Sequence, residues 1–318
     1  MHDFANSTVA VTGGAGFIGS HLVQRLRSLR ASVIVIDSLE YGKRENLVAG
    51  DPEIQIEKFK LGVDSRVRLQ EILRGVDYVF HLAAQKHNQG IHSQEVRPNM
   101  NVVGTEHLLK ACLATKVKKI IFTSSLYAYG RMTGPPMAES EVPAPNTIYG
   151  ISKLQCEHAC HRVSVQSRIP IICLRLFFTY GPRQSAQYPS VILKNFERML
   201  NGQRPVIYGD GSQVFDYSYV DDVVDAILAA SIHSKFGVFN VGSGVPTTIN
   251  GLLYNMARIA GRSFEDDDGF YDTVSADWTA GSYRVADTAK FEAAFGTLPH
   301  TSLYEGLHRT FDWMKSRA

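Results

Sequence analysis

The stretch Thr8-Val9-Ala10-Val11-Thr12-Gly13-Gly14-Ala15-Gly16-Phe17-Ile18-Gly19 decides how this chain folds. A short apolar strand, Thr8 to Val11, runs directly into glycines at 13, 16 and 19, and a helical pattern follows from Phe17 to Leu29. Glycines at that spacing allow a tight turn and close backbone approach to a pyrophosphate, which then rests on the helix N-terminus. Working outward, Ser32 to Ile36 reads as a second strand, and Asp37 closes it about 20 residues after the turn. A carboxylate there binds the hydroxyls of an adenosine ribose and repels a 2′-phosphate, so NAD is favoured over NADP. Lys43 and Arg44 nearby leave NADP open.

The alternation continues with strands at Ile54 to Phe59, Tyr78 to Leu82, Lys119 to Phe122 and Ile171 to Leu174. Helices are expected around Val67 to Leu73, Asn101 to Ala114 and Tyr149 to Val165. Buried, β-rich strands alternating with helices predict an α/β fold: a doubly wound parallel Rossmann sheet covered on both faces. After Tyr180-Gly181-Pro182 the elements shorten. A dinucleotide-binding domain over 1–174 and a smaller α/β substrate lobe over 175–318 are therefore expected, with some late segments returning to the first domain.

A chain of 318 residues, 44% of them hydrophobic, can bury a large core. With 33 basic against 31 acidic residues, nothing argues for a nucleic-acid or anionic-membrane partner. No apolar run reaches the roughly 20 residues of a membrane span, and the N-terminus does not read as a signal peptide. Cys112, Cys156, Cys160 and Cys173 fit neither a metal nor a disulfide pattern, so reduced core cysteines and a cytoplasmic location are expected. His81, His87, His92 and His107 match no metal template, and no metal is expected. The acidic run Glu265 to Asp268 reads as a solvated loop.

Tyr149 and Lys153 stand one helical turn apart, on one helix face. An ammonium beside a phenol favours the phenolate and gives an acid/base usable near neutral pH. The spacing alone is common. Its weight comes from the nucleotide-type turn upstream and from Thr123-Ser124-Ser125 at the end of a strand.

These motifs together resemble the extended short-chain dehydrogenase/reductases of the NAD-dependent sugar epimerase/dehydratase family, over nearly the whole chain. His81-Leu82-Ala83-Ala84-Gln85, Asn101 to Thr105, Tyr129-Gly130, Tyr180 to Arg183, Gly209 to Gln213, Tyr219 to Asp222 and Asn240 to Gly244 carry the same resemblance. It implies Ser125, Tyr149 and Lys153 as catalytic residues. Tyr149 is then the acid/base, Lys153 holds the nicotinamide ribose and depresses the Tyr149 pKa, and Ser125 binds the reacting oxygen. NAD contacts are implied at Gly13, Gly16, Phe17, Ile18, Gly19, Asp37, Ser38, Lys43, Asp64, Leu82, Ala83, Ala84, Asn101, Ser124, Tyr149 and Lys153. Substrate contacts are implied at Gln85, Ser125, Tyr127, Phe178 and Phe215. A homodimer through the helices at 101–114 and 149–165 is implied as well.

Departures from the family pattern narrow the reaction. Ser125 is followed by Leu126-Tyr127, where family dehydratases carry acids and decarboxylases a glutamate. Phe178, Phe215 and Asp277-Trp278 stand where asparagine and basic residues usually grip a nucleotide diphosphate. Arg183, Lys194, Arg204 and Arg284 are candidates to compensate. An NAD-dependent epimerase acting on a sugar or nucleotide sugar is expected. The alternative is a net dehydrogenase or reductase on a sugar or natural product lacking the diphosphate.

Overall fold

The structure is a computed structural model that describes residues 4–48, 50–85, 99–132, 134–185, 190–262, 271–275, 281–297 and 300–317. The first part alternates as the pattern requires: β1 (Thr8–Thr12), α1 (Phe17–Ser28), β2 (Ser32–Asp37), β3 (Ile54–Lys58), α2 (Arg66–Ile72), β4 (Tyr78–His81), α3 (Met100–Thr115), β5 (Lys119–Ser125), α4 (Ile148–Ser167) and β6 (Ile171–Leu176). Shorter elements follow: β7 (Phe178–Tyr180), α5 (Val191–Leu200), β8 (Val206–Tyr208), β9 (Val214–Tyr219), α6 (Val220–Ala230), β10 (Gly237–Val241), β11 (Pro246–Thr248), α7 (Ile249–Ile259), β12 (Asp272–Val274), β13 (Tyr283–Arg284), α8 (Ala289–Phe295) and α9 (Leu303–Lys315).

Seven strands form the main sheet in the order β10-β6-β5-β4-β1-β2-β3. All its pairings are parallel. The chain moves from β1 to β2 and β3 on one side, then crosses back to β4 on the other. That reversal opens a crevice at the carboxyl ends of β1 and β4, the usual ligand position in such sheets. The seventh strand, β10, is drawn from beyond residue 174 and pairs Gly237 with Ile172. Strands β5 and β6 run farther than their apolar stretches, to Ser125 and Leu176. Ladder pairing of Ser124 with Arg175 and of Ser125 with Leu176 overrides the polar composition there.

Each face of the sheet buries its own core. On one side Leu22 and Leu26 of α1 meet Val223 and Ile227 of α6. On the other, Leu69 of α2, Leu108 of α3 and Cys156 of α4 pack together. Full burial of one such leucine contributes roughly 1.5–3 kcal/mol. All four cysteines are buried free thiols in this second core.

A third core lies under the later elements, built from Tyr180, Ile192, Phe196, Leu252, Met256 and Leu307. Its sheet is organised by β9, which pairs β11 antiparallel and β13 and β7 in parallel. Asp216, 0% exposed, pins this sheet to the main one. Its carboxylate accepts from the backbone N–H of Ser243 (2.7 Å), Gly244 (2.9 Å) and Ala286 (3.2 Å). Burial raises the Asp216 pKa, and those bonds oppose the rise.

Candidate active site

The glycine turn is held by geometry that only glycine satisfies. Gly13 sits at φ +70°, and a Cβ there would lie 2.8 Å from the backbone nitrogen of Ala83. A Cβ on Gly19 would come within 2.1 Å of the Gly13 carbonyl oxygen. The turn therefore packs against β4 and delivers α1 with Gly16 at its N-cap and no side-chain cap. The first N–H groups of α1 are left for an anionic ligand in the crevice, which is the fit expected of a dinucleotide pyrophosphate.

Asp37 ends β2 at the crevice wall, with Ala15 N–H donating to Oδ2 (3.0 Å) and Leu39 N–H to Oδ1 (2.9 Å). Burial pulls its pKa above the ordinary carboxylate value, with the two N–H bonds acting the other way. A carboxylate offers about four acceptor positions, so two such bonds leave capacity for ribose hydroxyls.

The opposite wall hangs on a buried histidine. Thr12 Oγ1 accepts from Ala83 N–H (3.2 Å) and lies 2.7 Å from His81 Nδ1, while His81 Nε2 lies 2.9 Å from Thr105 Oγ1. Burial pushes His81 down to about 3, so it is neutral and serves as a bridge from β1 to α3. Asn101 clamps Gln85, accepting from its N–H (2.7 Å) and donating to its carbonyl (3.0 Å). It also donates to Ser152 Oγ on α4 (3.1 Å).

Two cavities share this crevice. The first, about 340 Å³, is lined by Gly13, Gly16, Phe17, Ile18, Gly19, Asp37, Ser38, Leu82, Ala83, Ala84, Gln85, Asn101 and Tyr149. The second, about 610 Å³, is lined by Ser124, Ser125, Tyr127, Tyr149, Lys153, Phe178 and Phe215 among others. Phe17, Ile18, Leu82, Ala84 and Tyr149 border both. Lys43 and Asp64 border neither. The Lys43 side chain, 65% exposed, pairs with Glu45 at 3.4 Å, and the Asp64 carboxylate accepts from Lys60 N–H (2.7 Å). Gln85, expected on the substrate, faces the first cavity.

Thr147 caps α4 by accepting from Gly150 N–H (3.0 Å), and that start places Tyr149 and Lys153 on the cavity side. Tyr149 hydrogen-bonds Ser125, yet burial pushes its phenol up to about 12. This corrects the expectation that Lys153 depresses it. The Lys153 ammonium instead donates to the Thr123 carbonyl (2.8 Å) and stands over the Tyr149 ring, 5.7 Å from its centroid. Buried itself, Lys153 is pushed down to about 8. In the protein alone the pair thus rests as a phenol beside a readily discharged ammonium.

Glu157, one turn beyond Lys153, is the residue that motif reading missed. It takes the Ser124 hydroxyl hydrogen bond and both prongs of Arg175, Nε to Oε1 at 3.0 Å and Nη2 to Oε2 at 2.7 Å. The side chains of that pair are each 4% exposed. Arg175 also lies over the Tyr129 ring at 4.5 Å, and Tyr129 donates to Asn240 (2.7 Å). Ser124 therefore acts as a brace for β5. The i, i+4 spacing from Lys153 was the available signal.

Tyr127 packs edge-on to Tyr149 with centroids 6.0 Å apart, as a lining aromatic. Phe178 and Phe215 meet at 5.0 Å on the far wall. Of the four basic candidates to compensate there, only Arg284 faces the cavity. Arg183 is engaged by Asn46 and Gln24, Lys194 is exposed, and Arg204 reaches toward Asp272. Asp277, Trp278, His87, His92 and the Glu265 to Asp268 run lie outside the described residues. Among the described residues no cluster of three or more His, Cys, Asp or Glu suits a metal, and no helix is long and apolar enough to cross a membrane.

Residues 9–242 match the model of the NAD dependent epimerase/dehydratase family. A UDP-N-acetylglucosamine 4-epimerase from Methanobrevibacter ruminantium, solved with UDP-N-acetylmuramic acid, superimposes with a TM-score of 0.90 at 33% identity, covering 99% of this chain and 100% of that one. A UDP-glucose 4-epimerase from Thermotoga maritima, solved with UDP-glucose, gives 0.87 at 33% identity, covering 98% and 99%. A putative UDP-glucose 4-epimerase from Methanocaldococcus jannaschii is 30% identical over 97% of this chain and 98% of its own length.

Proposed function

Because the chain belongs to the NAD dependent epimerase/dehydratase family and is an NAD-dependent enzyme of that family, we propose that it is an epimerase of a sugar or nucleotide sugar. One observation carries the choice within the family. Among the described residues, no aspartate or glutamate lines the catalytic cavity. Elimination of water or loss of carbon dioxide would have to proceed there without a carboxylate to move the proton. Oxidation of one hydroxyl and its reduction again needs a single acid/base, and Tyr149 is that group.

NAD, when bound, supplies the acceptor that takes the hydride from the sugar carbon and gives it back, together with a positive charge in the crevice. The protein does the rest. Ser125, hydrogen-bonded to Tyr149, positions the reacting hydroxyl, and Tyr149 Oη takes its proton and later returns it. A positive charge nearby favours the phenolate and so lowers the Tyr149 pKa that burial holds up. Lys153, fixed by the Thr123 carbonyl, keeps the ring of Tyr149 in place.

The division into a cofactor domain and a substrate lobe near residue 174 belongs to this reading. So does a homodimer through α3 and α4, which expose the apolar side chains of Leu113, Ile151 and Val165. Light scattering should give twice the mass of the 35.3 kDa chain, and a monomer mass would refute the dimer. Buried free thiols support a reducing, cytoplasmic setting.

The test of the reaction is stoichiometric. Protein with catalytic NAD, offered nucleotide sugars and glycosides, should interconvert two epimers without accumulating NADH. One released NADH per sugar consumed would make it a net dehydrogenase instead.

A further inference from the structure

The far wall of the catalytic cavity is a sheet face whose register fixes its chemistry. Phe215 and Tyr217 are two residues apart on β9 and share a face. Pairing sets Phe178 beside Tyr217 and Arg284 beside Phe215. The Phe178 and Tyr217 rings lie 6.0 Å apart. The Arg284 guanidinium carbon stands 5.6 Å from the Phe215 centroid and 5.7 Å from that of Tyr127, between two aromatic rings.

Among the described residues, two polar atoms of this wall are buried without a hydrogen-bond partner: Arg284 Nε and the Tyr217 hydroxyl. Tyr217 is 6% exposed, and burial pushes its phenol well above the ordinary value, so it keeps its proton. A buried donor left unsatisfied is destabilising, and both residues that carry these donors border the same cavity. They call for an acceptor, and the guanidinium calls for a negative one.

We propose that Arg284 and Tyr217 hold one carboxylate of an aromatic or otherwise apolar aglycone, which carries the sugar in place of a nucleoside diphosphate. A single guanidinium balances one carboxylate charge for charge, whereas the pyrophosphate linkage of a nucleotide sugar carries about two negative charges, one on each phosphoryl group. The aromatic wall of Phe178, Phe215 and Tyr217 covers carbon rather than a second anionic group. The proposal rests on the epimerase reading only in placing the sugar ring at Tyr149.

Calorimetry on the NAD-loaded protein tests this with 4-carboxyphenyl β-D-glucopyranoside, neutral phenyl β-D-glucopyranoside and UDP-glucose. The carboxyphenyl glucoside should bind at least about tenfold more tightly than the phenyl glucoside, and more tightly than UDP-glucose. Arg284→Gln should erase that preference and leave the phenyl glucoside within about twofold. Tyr217→Phe should narrow the preference and provides the same readout if Arg284→Gln fails to fold. Tighter binding of UDP-glucose, a preference that survives in both variants, or no binding of the carboxyphenyl glucoside overturns the proposal. Binding is read without turnover, so released NADH would defeat the epimerase reading and leave these affinities as they stand.

Discussion

The two cavities that meet at Tyr149 are built in opposite ways. The cofactor side is made largely of backbone, from short contiguous segments: the turn at Gly13 to Gly19, the strand end at Asp37 and the wall Leu82 to Ala84. The substrate side is made of side chains drawn from Phe178, Phe215, Tyr217 and Arg284, which only strand pairing brings together. Backbone cradles tolerate little change. A wall of side chains can be rewritten one residue at a time, and two departures of this chain from its family, Phe178 and Phe215, fall on that wall.

The largest effect expected of any change to this arrangement is at the shared residue. Tyr149→Phe should lower kcat by about 10²- to 10⁴-fold while NAD affinity stays within about twofold. Steady-state rates and cofactor titration check both, and a variant that keeps its rate would remove Tyr149 from the chemistry.

Next comes the buried ammonium. Lys153 has a folded pKa of about 8, below its ordinary 10.5. Between those values the unfolded chain holds a proton that the folded chain has shed, so stability rises with pH in that window. Below it, the folded state bears the full cost of the buried charge. Against Lys153→Met, wild type should therefore gain on the order of 2–3 kcal/mol between about pH 7 and about pH 10. Urea denaturation at the two pH values measures it, and a flat difference would mean that the ammonium is not desolvated.

The smallest effect belongs to the cofactor side. Asp37→Ser should shift the ratio of NADP to NAD affinity by about tenfold toward NADP, with some loss of stability as two N–H groups lose their acceptor. Fluorescence titration with both nucleotides reads the ratio. An unchanged ratio would assign cofactor choice elsewhere in the crevice.

How much could be read from the sequence follows the same division. The parallel sheet, the glycine turn and Asp37 were legible because each is a local pattern with a local cause. The main sheet nevertheless takes its seventh strand from Gly237–Val241, which only a long-range pairing assigns. The proximity of Tyr149 and Lys153 was legible from helical spacing. Their electrostatics were not, because burial outweighs their mutual effect and the ammonium is turned to the Thr123 carbonyl. Phe178 and Phe215 announced that something was missing from the substrate wall. Arg284 stood among the basic candidates to compensate, but setting it on one wall with Tyr217 needed the register of β13 and β7 on β9.

The central claim is that hydride leaves one sugar carbon and returns to that carbon, with Tyr149 moving the only proton. A substrate sugar deuterated at the carbon bearing the reacting hydroxyl tests it most directly. The label should be found at that carbon in both epimers after equilibration, with none in free NADH. Deuterium in released NADH, or a product that has lost water, would contradict the account.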